Sequence, residues 1–289
     1  MNPYLIALIL GAVEGLTEFL PVSSTAHIQI IGNIIGHQFG GWTAHDAYWK
    51  AFAVVIQLGA VACLPIYFRK DLMKFLKNFP RGEKNDRNVF NHPLSLTLIA
   101  FVVTSVIALP MKKLISKNLE NYQVIGLALL IGGVIMWIVD VMFRKGTTDR
   151  MDKMSLPQSL WIGAIQSLSA LFPGTSRSMC TIAAGQTAGM TRSAALEFSF
   201  FLSIPTMFAA TLHELLGVYK HKDEFADLAP LTHDQWIQIG IGLVTAFVVA
   251  LVVVHLFMGW VRRRGFVPFA VYRIIIGIAV LIWVFQHGT

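Results

Sequence analysis

Charged side chains are scarce in this chain. Only 13% of its 289 residues are Asp, Glu, Lys or Arg, whereas 55% are hydrophobic. Soluble domains usually carry about a quarter charged residues, so this composition excludes an ordinary soluble protein. The sequence also lacks the alternation of apolar and polar residues that is typical of a membrane β-barrel.

The sequence also has few cysteines and lacks the pattern of a cleavable signal peptide. The two cysteines, Cys63 and Cys180, are too few for a disulfide framework. The first thirteen residues contain neither a basic segment nor a small-residue cleavage site, so we expect no cleavable signal peptide. The net charge is +7, but no basic face is interleaved with aromatic residues, and we therefore expect no nucleic-acid partner.

Long apolar runs dominate what is present. Six of them approach the roughly 20 residues that a helix needs to cross the hydrocarbon of a bilayer. They cover residues 51–68, 94–111, 123–143, 198–218, 236–259 and 266–285. The sequence therefore predicts an all-α polytopic membrane protein with six full spans.

The two halves of the chain resemble each other. Residues 11–17 (GAVEGLT) align with residues 163–169 (GAIQSLS), and the same offset pairs Ser24 with Ser176. Matches further along the chain occur in the same order and extend the similarity to a repeat of about 140–150 residues. This indicates an internal duplication.

A proline interrupts the first apolar stretch of each half. Pro21 and Pro173 lack a backbone N–H and disfavour helical structure in the residue before them. The apolar pieces on either side are too short to cross the bilayer alone. We therefore predict two re-entrant helix hairpins, at residues 3–35 and 157–195, whose broken backbone must be covered by protein or water.

Each half thus combines one hairpin with three spans. Because three is an odd number, the second repeat, about residues 155–289, should start on the opposite side of the membrane from the first, about residues 1–145. The sequence predicts an inverted-topology repeat within a single membrane domain, residues 1–289. Such an arrangement places binding sites near the bilayer midplane.

The basic residues are distributed unevenly over the loops. Most lie in residues 69–93, 144–158 and 261–265, which the predicted topology puts on one side of the membrane. Basic loops stay in the cytoplasm. The first hairpin and both termini should therefore open to the outer side.

Polar residues concentrate in the first hairpin, where residues 14–27 read EGLTEFLPVSSTAH. An ionised side chain costs roughly 2.5–3.5 kcal/mol at the centre of a spanning helix, so this cluster indicates a functional site. Glu14 and Glu18 are spaced i, i+4 and share a helix face. Two carboxylates so close in a medium of low dielectric cannot both stay ionised unaided. This favours either a proton held for acid–base chemistry or a divalent cation between them.

Hydroxyl residues follow Pro21, where the second helix should begin. Ser23, Ser24 and Thr25 are suited to capping that helix. A helix start also binds phosphate through its free N–H groups and its dipole. His27 lies three residues after Ser24 on the same face, a spacing that suits a nucleophile and its base.

The second hairpin carries a similar segment, PGTSRSMCT at residues 173–181. Its Arg177 guanidinium has a planar fork that matches two phosphate oxygens. Gln166 and Ala170 stand at the positions of the two glutamates, so the acidic chemistry belongs to the first hairpin. If both helix starts meet inside the membrane, one anion receives amides, hydroxyls and a guanidinium from both sides.

Other ionisable residues in the apolar runs give weaker signals. We interpret Glu197, Arg192 and Arg273 as structural ion pairs on the cytoplasmic side. Asp140 and His255 lie near predicted span ends, and we place them at the membrane interface.

The two polar segments, residues 14–27 and 173–181, closely resemble the two signature motifs of the undecaprenyl-diphosphate phosphatase family, also called bacitracin-resistance proteins. The similarity includes EFSFFLSIP at 197–205 and FVPFAVYR at 266–273, and so covers nearly the whole chain. Family members commonly have a small residue at the position of Met179. The larger methionine of this chain would narrow the pocket.

The resemblance implies hydrolysis of undecaprenyl diphosphate to undecaprenyl phosphate and inorganic phosphate. This activity recycles the lipid carrier for peptidoglycan synthesis at the bacterial inner membrane and gives bacitracin resistance. The resemblance also implies a divalent cation, Mg²⁺ or Ca²⁺, held by Glu14 and Glu18. By motif, Ser24 is the nucleophile, His27 its acid–base partner and Arg177 the phosphate clamp. The residues expected to line the anion site are Ser23, Thr25, Gly174, Thr175, Ser176, Ser178 and Thr181.

Two alternatives remain open at this point. A metal-activated water could replace Ser24 as the nucleophile, with His27 as its base. The chain could also be a transporter or flippase of polyprenyl phosphate, because inverted repeats with broken helices are a transporter architecture. The acidic pair beside Ser24 would repel a transported anion, which favours the phosphatase. A homodimer is also left open.

Overall fold

The fold was analysed in a computed structural model. The residues that it describes are 1–39, 47–82, 86–111, 114–115, 118, 121–220 and 231–287. In these residues the regular structure is helical, apart from one isolated bridge between Thr148 and Met190. The helices are α1 Pro3–Thr17, α2 Ser24–Phe39, α3 Ala47–Tyr67, α4 Arg69–Lys77, α5 Pro93–Ala108, α6 Tyr122–Met142, α7 Leu156–Leu171, α8 Arg177–Thr187, α9 Arg192–Lys220, α10 His233–Arg264 and α11 Val267–His287. Two short 3₁₀ turns occur at Leu109–Met111 and Met151–Lys153.

Six helices are long and apolar enough to cross a membrane within the described part of the chain. They are Tyr48–Tyr67, Pro93–Met111, Tyr122–Met142, Arg192–His213, His233–Arg264 and Val267–His287. Each contains or overlaps one of the six apolar runs, so the prediction of an all-α protein with six spans is confirmed. The protein is therefore a multi-pass membrane protein.

Both predicted helix hairpins are present. The first consists of α1 and α2, with the turn at residues 18–23, and the second consists of α7 and α8. The predicted end of the second hairpin, residue 195, is wrong. Gly189 has a φ of +85°, a conformation that ends α8, and Arg192 already begins the next helix. The inverted orientation of the two halves stays a prediction.

The chain forms two compact units, and each contains segments from both halves. Unit 1 comprises residues 1–19, 24–67 and 203–255. Unit 2 comprises residues 20–23, 68–202 and 256–289. Neither unit is one half of the sequence, and the single domain of two consecutive repeats stays a prediction.

Small residues let the hairpins pack closely in each unit. In unit 1, a Cβ at Gly11 of α1 would lie 2.5 Å from the carbonyl oxygen of Gly242 in α10. In unit 2, a Cβ at Gly163 of α7 would lie 2.5 Å from the carbonyl oxygen of Ala100 in α5. Membrane helices associate where small residues allow such close approach. The aligned glycines of the two halves thus play the same part.

Candidate active site

The two glutamates of the first hairpin lie one turn apart on a buried face. Glu18 follows the last residue of α1 in helical conformation, and its backbone N–H donates to the carbonyl of Glu14 at 2.9 Å. Only 3% of Glu14 and 6% of Glu18 is exposed. Two exposed glutamates on a surface helix are therefore excluded.

Ser24 bonds to one of these carboxylates across the turn. Its hydroxyl donates to Glu18 Oε2 at 2.6 Å, and Ser24 itself is 7% exposed. A hydroxyl that donates to a carboxylate over so short a distance forms a strong, charge-assisted bond. The sequence suggested only His27 as a partner for the Ser24 hydroxyl, whereas in the structure the hydroxyl donates to Glu18.

The remaining polar residues of this segment differ in exposure. Ser23 and His27 are buried with Ser24, whereas Thr25 is exposed. The expected contribution of Thr25 to an anion site therefore has no support from its position. His27, one turn after Ser24, lies on the buried face as predicted.

Both hairpin turns contain a serine in left-handed conformation. Ser23 and Ser176 each have a φ of 74° and directly precede the helices α2 and α8. A non-glycine residue in such a conformation costs on the order of 1–3 kcal/mol and is typical of functional sites. The side chain of Ser176 caps α8 by accepting from the N–H of Met179.

This geometry corrects the alignment of the two hairpins by one residue. The left-handed serines pair Ser23 with Ser176, and the helix starts pair Ser24 with Arg177. The predicted pairing of Ser24 with Ser176 is wrong because the turn of the second hairpin contains one more residue between proline and helix. Ser24, the candidate nucleophile, is thus equivalent in position to Arg177, the candidate phosphate-binding residue.

The second hairpin presents a half-buried arginine at the start of α8. Arg177 Nη1 donates to the carbonyl of Ser199 at 3.2 Å. The Thr175 hydroxyl donates to the carbonyl of Phe172 at 2.7 Å. Thr181 is fully buried, and its hydroxyl donates to Ser199 Oγ at 2.6 Å. This last contact gives Thr181 a packing role between α8 and α9.

The turns of the two hairpins meet within unit 2. The buried Ser178 hydroxyl donates to the carbonyl of Leu20 at 3.0 Å and lies 3.0 Å from Ser176 Oγ. Leu20, in the turn of the first hairpin, therefore contacts the start of α8. The predicted contact between the two proline-broken turns is found at these residues.

Arg273 of α11 binds both turns at once. It is completely buried. Nη1 donates to the carbonyl of Pro21 at 3.2 Å, and Nη2 donates to the carbonyls of Gly174 and Ala128 at 3.0 Å each. The prediction of a cytoplasmic ion pair for Arg273 is wrong. The carbonyls of Pro21 and Gly174 lie in turns, and the Arg273 guanidinium donates hydrogen bonds to both.

Arg192 forms the expected kind of contact with an unexpected partner. Its Nε donates to Asp140 Oδ1 at 2.6 Å, and Asp140 Oδ2 accepts from the N–H of Phe266 at 3.0 Å. Asp140 is completely buried in the protein, and its place at the depth of the membrane interface stays a prediction. A carboxylate this deeply buried is stabilised by its cation and its hydrogen bonds.

The oxygen atoms of the first hairpin fit a hard divalent cation. Glu14, Glu18 and Ser24 supply two carboxylates and a hydroxyl. Among the described residues, no three His, Cys, Asp or Glu side chains form a metal centre. Mg²⁺ commonly binds through one or two carboxylates and completes its shell with water and substrate phosphate. The residues present match that mode of binding.

The fold and this site define a class: a multi-pass membrane protein with buried carboxylates and hydroxyls in a proline-broken helix hairpin. Residues 7–279 match the family described as bacitracin resistance protein BacA. The chain therefore belongs to the BacA family.

Several relatives match almost the whole chain. The undecaprenyl-diphosphatase of Koribacter versatilis (strain Ellin345) is 57% identical over 291 residues, which cover 99% of this chain and 100% of the relative. The undecaprenyl-diphosphatase of Thermoanaerobacter sp. (strain X514) is 40% identical, covering 96% of each chain. That of Caldanaerobacter subterraneus subsp. tengcongensis is 37% identical, covering 97% of this chain and 96% of the relative.

Proposed function

We propose that this protein is a membrane phosphatase that hydrolyses undecaprenyl diphosphate to undecaprenyl phosphate and inorganic phosphate. The observation that carries the proposal is the 2.6 Å hydrogen bond from the Ser24 hydroxyl to the buried Glu18 carboxylate. A hydroxyl bonded to a base, with a second carboxylate one turn away, is the arrangement of an activated nucleophile. The shared name of the relatives supports the substrate.

The reaction proceeds in two displacements at phosphorus. Ser24 Oγ attacks the terminal phosphorus while Glu18 takes the hydroxyl proton, and the bond from phosphorus to the bridging oxygen breaks. Undecaprenyl phosphate leaves, and the phosphoryl group stays on Ser24. Water, deprotonated by His27, then attacks the same phosphorus, and the bond from phosphorus to Ser24 Oγ breaks. Phosphate is released, Glu18 returns its proton to Ser24, and His27 loses its proton to solvent. Phosphoryl transfer of this kind depends mainly on positioning and charge neutralisation.

Two further groups are part of the proposed mechanism. Arg177 binds phosphate oxygens through its planar guanidinium, with Ser176 and Ser178 as neighbouring hydroxyls. Glu14 and Glu18 hold a divalent cation, Mg²⁺ or Ca²⁺, which supplies positive charge against the phosphate oxygens when it is bound. The hydrophobic tail of the substrate stays in the bilayer, and only its head enters the polar site.

Trapping the phosphoenzyme tests this mechanism directly. Purified protein is incubated with Mg²⁺ and farnesyl diphosphate labelled in its terminal phosphate, quenched with acid and digested. We expect the label on Ser24 in the His27→Ala variant, in which the second step is slow.

Ser24→Ala should lower turnover by roughly 10³-fold or more, the scale seen when a nucleophile is removed. Ser105→Ala is the matched control, because the Ser105 hydroxyl donates to the carbonyl of Phe101 within its own helix, away from the proposed site. Substantial turnover in Ser24→Ala would show that water is the direct nucleophile. Lipid movement across liposomes without phosphate release would instead identify a transporter, which the names of the relatives do not favour.

The orientation in the membrane is a separate part of the proposal. The basic loops between the spans support a bacterial inner-membrane protein whose first hairpin opens to the periplasmic side. A single cysteine at Asn2 should react with an impermeant maleimide added to intact cells, whereas a single cysteine at Lys145 should react only after the cells are permeabilised. Labelling of both from outside would contradict this topology.

A further inference from the structure

A polar cavity and an apolar groove lie side by side at the start of α5, among residues that the proposed mechanism does not use. The cavity has a volume of about 190 Å³. Its charged lining residues are Lys74, Arg87, Arg150, Lys153, Asp86 and Asp152. The groove has a volume of about 540 Å³ and an almost wholly apolar lining. Its main residues are Leu76, Phe79, Val89, Phe90, Leu94 and Leu98.

The same stretches of chain form the walls of both spaces. At the end of α4, Lys74 faces the cavity and Leu76 faces the groove. In the loop that follows, Arg87 lines the cavity and Phe90 lines the groove. At the start of α5, His92 lines the cavity and Leu94 lines the groove. One ligand with a polar head and an apolar chain can therefore occupy both spaces.

The groove runs from the membrane surface into the hydrocarbon. Pro93 begins a membrane span, and Leu98 lies in its second turn with 55% of its surface exposed. Helix α4 is amphipathic, and its Leu76 is 56% exposed. Short basic amphipathic helices of this kind lie in the interface of a bilayer. The cavity is thus at headgroup depth and the groove at acyl-chain depth.

The charges around the cavity favour an anion. Four cationic and two acidic side chains line it. Arg150 pairs with Asp152 at 2.8 Å, and even with Asp149, the partner of Lys153, counted among the acidic residues, the net charge stays positive. Arg87 is anchored to the backbone, because it donates to the carbonyls of Asn91, Met154 and Asp152. Lys153 pairs with Asp149 at 2.9 Å but remains 58% exposed, and an ammonium group has three hydrogens to donate. Positive charge therefore remains available to a ligand.

We propose that this cavity and groove form a binding site for an anionic phospholipid of the leaflet that faces the basic loops. The lipid phosphate lies in the cavity near Lys74 and Lys153, and one acyl chain lies in the groove against Phe90 and Leu98. The site serves binding, independently of hydrolysis at Ser24.

Lipid retention measured by native mass spectrometry tests the proposal. The delipidated full-length protein is mixed with phosphatidylglycerol, phosphatidylethanolamine or phosphatidylcholine of identical acyl chains. We expect preferential retention of phosphatidylglycerol. The variant Lys74→Gln/Lys153→Gln should weaken that retention by roughly tenfold or more, given the attraction of each basic residue for anionic lipid. Leu98→Trp, which fills the groove, should weaken retention of all three lipids.

Matched controls carry the same changes elsewhere. Lys70→Gln/Lys145→Gln removes two exposed charges that do not line the cavity, and Leu127→Trp enlarges an exposed residue of α6. Both should retain phosphatidylglycerol like the parent protein, and all variants should hydrolyse farnesyl diphosphate normally. Equal retention of the three lipids by the parent protein would overturn the proposal. An equal loss of phosphatidylglycerol retention in the test and control charge variants would also overturn it. These charge variants change no residue of the buried core.

Discussion

Replacing Arg273 by methionine should damage catalysis from a distance. The guanidinium is fully buried and donates to the carbonyls of Pro21, Gly174 and Ala128 at 3.0–3.2 Å. Methionine has similar length but no donor, so the three carbonyls lose the hydrogen bonds that Arg273 donates. Polar contacts between membrane helices contribute about 0.6 kcal/mol on average and at most about 1.7 kcal/mol. Three such contacts are therefore worth about 2–5 kcal/mol.

Two terms decide the size of the effect on folding. The lost hydrogen bonds destabilise the protein, whereas removing a desolvated cation recovers part of that loss. A net destabilisation of about 2 kcal/mol is well below the 5–15 kcal/mol that typical domains have. We therefore expect Arg273→Met to fold with a lower melting temperature.

The effect on turnover should exceed the effect on folding. Arg273 holds the two turns whose serines, Ser23 and Ser176, have left-handed backbone conformation, and small displacements of a catalytic group can cost roughly 10²-fold in rate. We expect kcat for farnesyl diphosphate to fall by that order. Arg273→Lys should recover stability more than kcat, because a single ammonium cannot reproduce the fork of donors.

A second destabilised variant separates positioning from simple loss of stability. Leu96→Ala removes a buried side chain of α5 and should cost about 2–5 kcal/mol. It should lower the melting temperature while leaving kcat nearly unchanged below that temperature. If Arg273→Met behaves like Leu96→Ala, with stability reduced and kcat retained, Arg273 is only a structural residue.

Two other predictions concern packing and pH. Gly11→Val should prevent folding, because its Cβ would meet the Gly242 carbonyl at 2.5 Å, whereas Gly240→Ala meets nothing within 4 Å and should express normally; folded yield in detergent checks both. Burial and the nearby Arg87 lower the pKa of His92, so its contribution to stability is present above the unfolded pKa of about 6.5 and is lost as pH falls below it. Melting temperatures are compared at pH 7.5 and 5.5, about one unit above and below 6.5. The drop over this interval should be smaller in His92→Asn than in the parent protein.

Each of these has a clear contrary result. Normal yields of Gly11→Val would show that α1 and α10 do not pack as closely as described. Identical pH dependence in His92→Asn and the parent protein would show that His92 titrates alike in the folded and unfolded chains.

Several contacts could not be predicted from the sequence because they join residues far apart in the chain. The sequence around Arg273 does not indicate that its donors reach the carbonyls of Pro21 and Gly174. Every residue has a backbone carbonyl, so the sequence does not show which carbonyls need a side-chain donor. The 3.0 Å bond from the N–H of Phe266 to the Asp140 carboxylate is of the same kind. The left-handed backbone of Ser23 and Ser176 has no signal either, because glycine or asparagine is the residue expected there.

Local properties, in contrast, were sufficient for the architecture of the spans. A run of about 20 apolar residues has to cross the bilayer as a helix, because the hydrocarbon offers its backbone no other hydrogen-bond partners. The spacing of Glu14 and Glu18 determined that they share a helix face, and Pro21 limited how far that helix can extend. Which base the Ser24 hydroxyl contacts was decided only by the tertiary structure. The turn folds Ser24 back onto Glu18, six residues earlier, and the path of that turn depends on partners from other helices.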